Sequence, residues 1–425
     1  MRILTISLNA WNDTLATGNS FSNFFSNRDE GDAFANIYCR SERINNSICS
    51  RYFRVTEKDI LKSFARFSSA GSSFDASAID NGVVSSQESL LSTNNPQGNL
   101  LRRLRPASLL FLRELIWYIP TWKGKKIKQF LADFKPDIIY MHVHSNWYMH
   151  KLLWFCQKLT GAKVVVFSGD DVWSYKQKGI LHLLYHWRLR HYLRKTFTSA
   201  DVVLGGSPQL CKEFGEVFKI NIKPLYKTCN NISVPNKKEY RFPLKAVYCG
   251  NLLYGRDDVL VLLAKQLPLL NKDGIKLQLF IYSNTLLSND KMSVLDDGIN
   301  CFYKGAKPFS EIIRILNESD FSIFAESYNP RCVKETRLSF STKIIDYMQA
   351  SSAIIAVGPS EIASIDYLKR SGLAIVVDKP DDFLNVMEHI ISTPDDIFVS
   401  TQHKYEYALK NHSKPSLLQK MRGLL

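Results

Sequence analysis

Apolar runs along the chain alternate with segments of helical periodicity, and this alternation restarts near the middle. Ile3 to Leu8 reads as a first strand. A polar loop with Gly18, Asn19 and Ser20 leads from it into Phe21. Residues 66–100, rich in Ser, Asn and Gly, read as a loop or a poorly ordered insertion. Lys125 to Phe134 and Trp147 to Leu159 have helical spacing. Between and after them lie the buried-strand runs Pro136 to His142 and Ala162 to Phe167. A basic helix is expected over 178–197, then a strand from Ala200 to Ser207. These runs lack strict alternation and are separated by helices, the pattern of a parallel sheet covered on both faces.

Residues 234–244 contain Pro235 and Pro243 and read as a linker, after which the pattern begins again. Strands are expected at Lys245 to Cys249, Lys276 to Tyr282, Asp320 to Ala325, within Ala353 to Pro359, and at Gly372 to Val377. A helix is expected from Phe309 to Leu316, and the tail from about 401 reads as helix. The expected organisation is an α/β chain of two Rossmann-like parallel-sheet domains, 1–235 and 236–400, facing a central cleft. A helical tail, 401–425, is a candidate to pack back on the first domain. Such folds bind ligands at the carboxyl ends of their strands.

Candidate chemistry gathers at these ends. In Phe340-Ser341-Thr342-Lys343-Ile344-Ile345-Asp346-Tyr347, the residues Ser341 and Thr342 are suited to cap a helix. A helix start attracts phosphate, Lys343 adds charge, and Asp346 one turn later can accept hydrogen bonds from sugar hydroxyls. The alternative is an ordinary capped helix before a strand. Gly250, with Asn251 beside it, permits close backbone approach, and Arg256 can fork onto phosphate oxygens or pair with Asp257 or Asp258. Asp170 and Asp171 follow a strand in the first half and could orient an acceptor hydroxyl, or cap the next helix. Gly18 would let its loop pass near a bound sugar or phosphate. His142 and His144 read as structural or acceptor-site residues. No Asp-x-Asp at a strand end or HExxH is present, so no metal and no cofactor is expected.

Composition narrows the classes. Hydrophobic residues make up 45% of the 425, enough for two cores. The eight cysteines form no CxxC pair and read as reduced thiols of a cytoplasmic protein. No apolar run reaches the roughly 18 residues of a membrane span. The net charge of +15 calls for an anionic partner. No zinc knuckle, helix-turn-helix or RNA-binding aromatic signature supports nucleic acid. Basic residues instead accompany apolar and aromatic ones, as around Trp117, Trp122 and Trp187, which suits an anionic membrane surface. The alternative is a solvated helix face over a core stripe.

The chain resembles the bacterial GT-B glycosyltransferases, near glycosyltransferase family 4. The landmarks are Gly18-Asn19-Ser20, Lys135-Pro136-Asp137-Ile138-Ile139-Tyr140, Ser199-Ala200-Asp201-Val202-Val203, Tyr248-Cys249-Gly250-Asn251-Leu252, Asn317-Glu318-Ser319-Asp320 and the 340–347 segment before Ile354-Ile355-Ala356-Val357-Gly358-Pro359. The resemblance implies a retaining, metal-independent transfer from a nucleotide-sugar donor to a saccharide or lipid-linked acceptor, in cell-surface polysaccharide biosynthesis. It implies a donor held by the second domain and an acceptor by the first. Arg256, Ser341 and Thr342 would meet the diphosphate, and Asp346 the ribose. Two departures stand out. The family's spacing places the glutamate partner of Asp346 at Leu338, leaving Glu326 or Glu335 to reach the site. Asp170 stands where the family places a histidine. A silent GT-B binding protein and a nucleotide-sugar epimerase are the alternatives.

Overall fold

The computed structural model describes residues 1–26, 29, 31–40, 43–76, 107–174, 179–235 and 240–417. The chain divides into two compact units. Of the described residues, those within 1–205 and 211–224 form one unit, and those within 206–210 and 225–417 form the other.

The first unit holds β1 (Arg2–Ser7), β2 (Ala33–Tyr38), β3 (Arg51–Arg54), β4 (Ser72–Asp75), β5 (Ile138–His142), β6 (Lys163–Ser168), β7 (Val202–Gly205) and β8 (Lys223–Pro224). They form one sheet in the order β4-β3-β2-β1-β5-β6-β7-β8. Every pairing is parallel except β3 with β4. Strand β4 falls inside the segment expected to be loop, of which 77–100 lies outside the described residues. β2 and β3 were not expected either. Buried Asn36 breaks the apolar run of β2, and its amide donates to Thr5 Oγ1 (2.9 Å) and Ser7 Oγ (3.0 Å) on β1. A strand can carry such a residue inside the sheet when a neighbour satisfies it.

The second unit holds β9 (Leu244–Cys249), β10 (Leu277–Tyr282), β11 (Cys301–Tyr303), β12 (Phe321–Ala325), β13 (Ala353–Val357) and β14 (Ile375–Val377), ordered β11-β10-β9-β12-β13-β14 and all parallel. Strand β13 shows why its sequence is unbroken hydrophobic. Ala353, Ile355 and Val357 pack with Leu260 and Leu263 of the helix Arg256–Leu270. Ile354 and Ala356 pack on the other face with Ile344 and Tyr347 of the helix Lys343–Gln349. Side chains alternate across a strand, so burial of both faces requires every position to be apolar. The last described helix, Pro394–His412, starts before the expected 401 and belongs to this unit. Its Lys404 is 2% exposed and donates to the carbonyls of Tyr347 (3.1 Å) and Ala350 (2.5 Å), closing the end of the helix Lys343–Gln349.

In each sheet the strand order reverses direction at one place: between β1 and β5 in the first, between β9 and β12 in the second. The helices on either side of such a point lie on opposite faces and leave a crevice at the strand ends.

Candidate active site

A buried polar cluster of the second unit sits at its reversal point. Strand β9 is followed by Gly250, with φ +130°. A Cβ there would lie 2.4 Å from Lys343 Cε, so only glycine leaves room for that side chain. Gly255, with φ +72°, opens the helix Arg256–Leu270; a Cβ there would lie 2.5 Å from Ser327 Oγ. Gly255 thus seats the loop against the segment after β12, while Gly250 seats it against Lys343. Arg256 thereby stands next to Glu326, the first residue after β12.

Arg256 Nη2 and Glu326 Oε1 are 2.8 Å apart, with side chains 11% and 3% exposed. Nη1 donates to Asn251 Oδ1 at 3.2 Å. Arg256 Nε and Glu326 Oε2 are buried without a hydrogen-bond partner. Buried polar atoms are almost always satisfied, so this unused capacity marks a place where a ligand can complete the network. Arg256 does not pair with its neighbours in sequence. Lys291 takes Asp257 at 2.6 Å and also binds Asp258.

Lys343 enters from the helix Lys343–Gln349. Its Nζ donates to Tyr248 OH at 2.7 Å, and Tyr248 OH donates to the Asn251 carbonyl at 2.6 Å. Burial, helped by the Arg256 charge, pulls the Lys343 ammonium down to about 7. Asp346, one turn on, is pushed up to about 6 by burial, against the pull of Lys227 and Lys343. Lys227 is itself lowered to about 8 by burial, with Asp346 opposing. Three cationic side chains and two carboxylates therefore share this site, largely withdrawn from water. Their cationic excess suits an anion, and its carboxylates suit hydroxyl groups.

The start of the helix Lys343–Gln349 differs from expectation. Neither Ser341 nor Thr342 caps it with a side chain: Thr342 has helical φ and ψ and makes no side-chain cap bond. The Ser341 N–H instead donates to Ser364 Oγ at 2.9 Å. Ser364 already donates to the Ser339 carbonyl at 3.0 Å, so the segment is held from outside rather than by its own cap. Leu338 is 1% exposed, and its carbonyl accepts from Ser207 Oγ at 2.7 Å. That position is structural. Glu326 is the glutamate that meets Arg256, while Glu335 lies in the helix Pro330–Thr336.

In the first unit, Asp171 follows β6 and is buried. Its Oδ1 accepts the N–H groups of Trp173 (3.1 Å) and Ser174 (2.9 Å). This is a turn closed on itself, not the cap of the next helix, which begins at Ile180. Asp170 beside it is exposed. Gly18 is not in a loop. It lies within the helix Ala16–Phe24, where a Cβ would lie 2.2 Å from the Asn12 carbonyl oxygen, so glycine lets the helix seat on that backbone. His142 packs between the rings of Phe21 (4.9 Å) and Phe167 (4.8 Å). His144 and His150 are pulled down by burial to about 3 and about 4, which keeps both neutral. Among the described residues, no group of three or more His, Cys, Asp or Glu side chains is arranged to hold a metal ion. All eight cysteines are free thiols.

Three residues escaped the sequence reading. Tyr248 was visible only as part of a strand, Lys227 lies in a stretch without pattern, and Glu114 sits beside Arg113 on an apolar helix. Glu114 is 1% exposed and accepts the N–H groups of Trp147 (2.8 Å) and Tyr148 (3.0 Å) and the hydroxyl of Tyr185 (2.9 Å). It caps the helix Trp147–Thr160, and burial pushes it up to about 7. Only Asn146 could be read as that helix's cap from sequence, and its side chain makes no such bond.

With both units described, the chain can be compared with solved structures. It is similar over its whole length to sucrose-phosphate synthase from Thermosynechococcus elongatus, at 12% identity, a TM-score of 0.61 and 98% coverage of that chain. It is similar to the Anabaena protein HepE in complex with UDP, at 10% identity, a TM-score of 0.58 and coverage of 100% and 99%. The lipopolysaccharide outer core galactosyltransferase WaaB matches at 14% identity and a TM-score of 0.57, again over 100% and 99% of the two chains. The fold is GT-B. No protein-family model and no curated protein matches the sequence.

Proposed function

We propose that the chain transfers a glycosyl group from a nucleotide-sugar donor to a saccharide or lipid-linked acceptor. The observation that carries this reading is the Arg256–Glu326 pair at the β9/β12 reversal point, with Lys343 and Asp346 beside it. Arg256 and Lys343 meet the diphosphate and take up the negative charge that grows on it as the glycosidic bond breaks. Glu326 holds the guanidinium in place, and its second oxygen is available to the donor sugar. Asp346 accepts from ribose hydroxyls. Gly250 and Asn251 line the approach, and Thr342 contributes its backbone N–H, while the Ser341 N–H stays on Ser364 and holds the segment in place. In this reading the leaving charge is met by these cations, without a metal or cofactor. The first unit receives the acceptor. There Asp170 is the carboxylate placed to meet its hydroxyl, and Asp171 shapes the turn that presents it.

Retention of configuration, kinship with glycosyltransferase family 4 and a role in cell-surface polysaccharide biosynthesis rest on the resemblance of the motifs. A cytoplasmic location fits the reduced, buried thiols. Incubation with a panel of nucleotide sugars tests the reading. UDP-sugars come first, since the Anabaena protein is described with UDP and with UDP-glucose. Release of nucleoside diphosphate with sugar transfer or hydrolysis supports it. Interconversion of the sugar would indicate an epimerase, and binding without turnover a silent GT-B protein.

A further inference from the structure

Two helices of the first unit expose apolar side chains where a water-facing helix carries charge. The helix Ala107–Ile116 turns Leu109, Leu112 and Leu115 outward, each more than half exposed. The helix Ile180–Ser199 turns out Ile180 (69%), Leu184 (49%) and Trp187 (70%). Both sets recur at one helical turn, so each forms a stripe. The two helices are neighbours. Phe111 packs its ring on Tyr185 with centroids 5.5 Å apart, and Tyr185 donates to Glu114. Lys151 Nζ then lies 3.1 Å from the ring centre of Tyr118, just beyond the first helix, and 5.9 Å from that of Tyr192 on the second. These contacts order the helices side by side in the same direction. Trp117 and Trp122, which the sequence suggested for a membrane interface, are not part of it: they are 1% and 0% exposed and pack in the core.

Charge identifies what this surface meets. The helix Ile180–Ser199 carries Arg188, Arg190, Arg194 and Lys195 and no Asp or Glu. Between Glu114 and Asp133 there is no acidic residue, while Lys123, Lys125, Lys126 and Lys128 are exposed. An apolar stripe with an aromatic residue, on a helix whose charged side chains are all basic, matches the boundary between headgroups and acyl chains. A second copy would bring the same basic faces together and be repelled. Neither helix is long and apolar enough to cross a bilayer. We propose that this two-helix face docks the chain onto an anionic lipid surface. Trp187 and the leucines enter the headgroup boundary, and the arginines and lysines meet lipid phosphates. The proposal stands on this surface alone and does not depend on the sugar-transfer reading.

Sedimentation of the full chain with phosphatidylcholine vesicles, with and without phosphatidylglycerol, tests it. Binding is expected only with the anionic lipid, falling as salt rises, since exposed charges are screened over about 10 Å at 0.1 M. The double variant Leu184→Glu, Trp187→Glu should lose at least about tenfold in partitioning. Its circular dichroism, melting temperature and affinity for nucleoside diphosphate in solution should be unchanged. Absent binding, equal binding to both vesicles, or wild-type binding by the double variant would each overturn the proposal. So would a dimer in light scattering that the double variant disperses. A donor titration on the same preparations reads the sugar-transfer proposal separately, so failure of one is not failure of the other.

Discussion

Arg256 and Glu326 form a buried ion pair at 2.8 Å across the point where the second sheet reverses its strand order. Each comes from the first residue or first helical turn after a neighbouring strand. Neither has all its polar atoms satisfied, for Arg256 Nε and Glu326 Oε2 remain without partners. Removing one member of a buried pair leaves the other's charge uncompensated, a loss of about 3–5 kcal/mol. Glu326→Gln and Arg256→Ala should therefore both lower stability by that order in urea denaturation. They should differ in anion affinity. Arg256→Ala should weaken nucleoside diphosphate by about 1.5–3 kcal/mol, the worth of hydrogen bonds to a charged group. Glu326→Gln should leave that affinity intact or raise it, because the guanidinium loses its competitor. Equal loss in both variants would remove the phosphate role from Arg256.

Lys343 should gain a proton when an anion binds. Held at about 7 by burial, it is largely neutral above that pH in the free protein, and a phosphate restores its charge. Calorimetry of nucleoside diphosphate binding near pH 8, in buffers of different ionisation heat, should report proton uptake. Lys343→Gln should abolish it. The folded value is depressed below the ordinary 10.5, so the unfolded chain binds more protons between the two. The lysine's burden on stability is thus full below about 7 and relieved as pH rises toward 10.5. Lys343→Met should raise the melting temperature most on the acid side.

Asp346 should set the opposite limb. Its carboxyl is raised to about 6, so its capacity to accept from ribose grows as pH rises through that value. Together the two groups should give nucleoside diphosphate affinity a bell-shaped pH profile with its maximum between about 6 and 7, the limbs belonging to the coupled pair. Asp346→Asn should flatten the acid limb and weaken free diphosphate and nucleotide sugar alike. An unchanged profile would make Asp346 structural.

Gly250→Ala should be costly for two reasons. Its φ of +130° disfavours any Cβ, at about 1–3 kcal/mol. The new methyl would also meet Lys343 Cε at 2.4 Å and push the ammonium off Tyr248. The lysine can swing aside, so the variant should fold with lower stability and take up no proton on binding. Thermal melting and the same calorimetry check both halves.

Glu114→Gln tests the buried acid of the first unit. The folded value of about 7 lies above the ordinary 4.5, so stability from this group is greatest below 4.5 and is lost as pH rises through about 7. That loss is on the order of 3 kcal/mol at 1.36 per unit. Glutamine keeps an oxygen for the Trp147 or Tyr148 N–H and does not ionise. The stability difference between wild type and variant should therefore change with pH between those values. Glu114→Ala should instead lose stability at all pH, at about 1–3 kcal/mol for each orphaned N–H.

What the sequence determined by itself was what local rules control. Unbroken apolar runs announced β5, β6, β12 and β13, because a parallel strand is buried on both faces and tolerates few polar residues. The order of strands and helices announced two Rossmann-like sheets, and glycines and charges at strand ends drew attention to Gly250, Arg256, Lys343 and Asp346. Where polar atoms are satisfied from far along the chain, the reading failed. Asn36 is paid for by Thr5 and Ser7 on β1, so β2 did not look like a strand. The helix Trp147–Thr160 is capped by Glu114, and the helix Lys343–Gln349 is held by Ser364 and Lys404 rather than by Ser341 and Thr342. Glu326 and Glu335 were open choices in the sequence, and the pairing of Glu326 with Arg256 follows only from the sheet setting β12 beside β9. Trp117 and Trp122 shared a composition with Trp187, yet packing buried two and exposed the third. Local propensity acts between near neighbours and is legible in order. Burial, and with it every shifted proton affinity in the site, is a property of what the fold brings alongside.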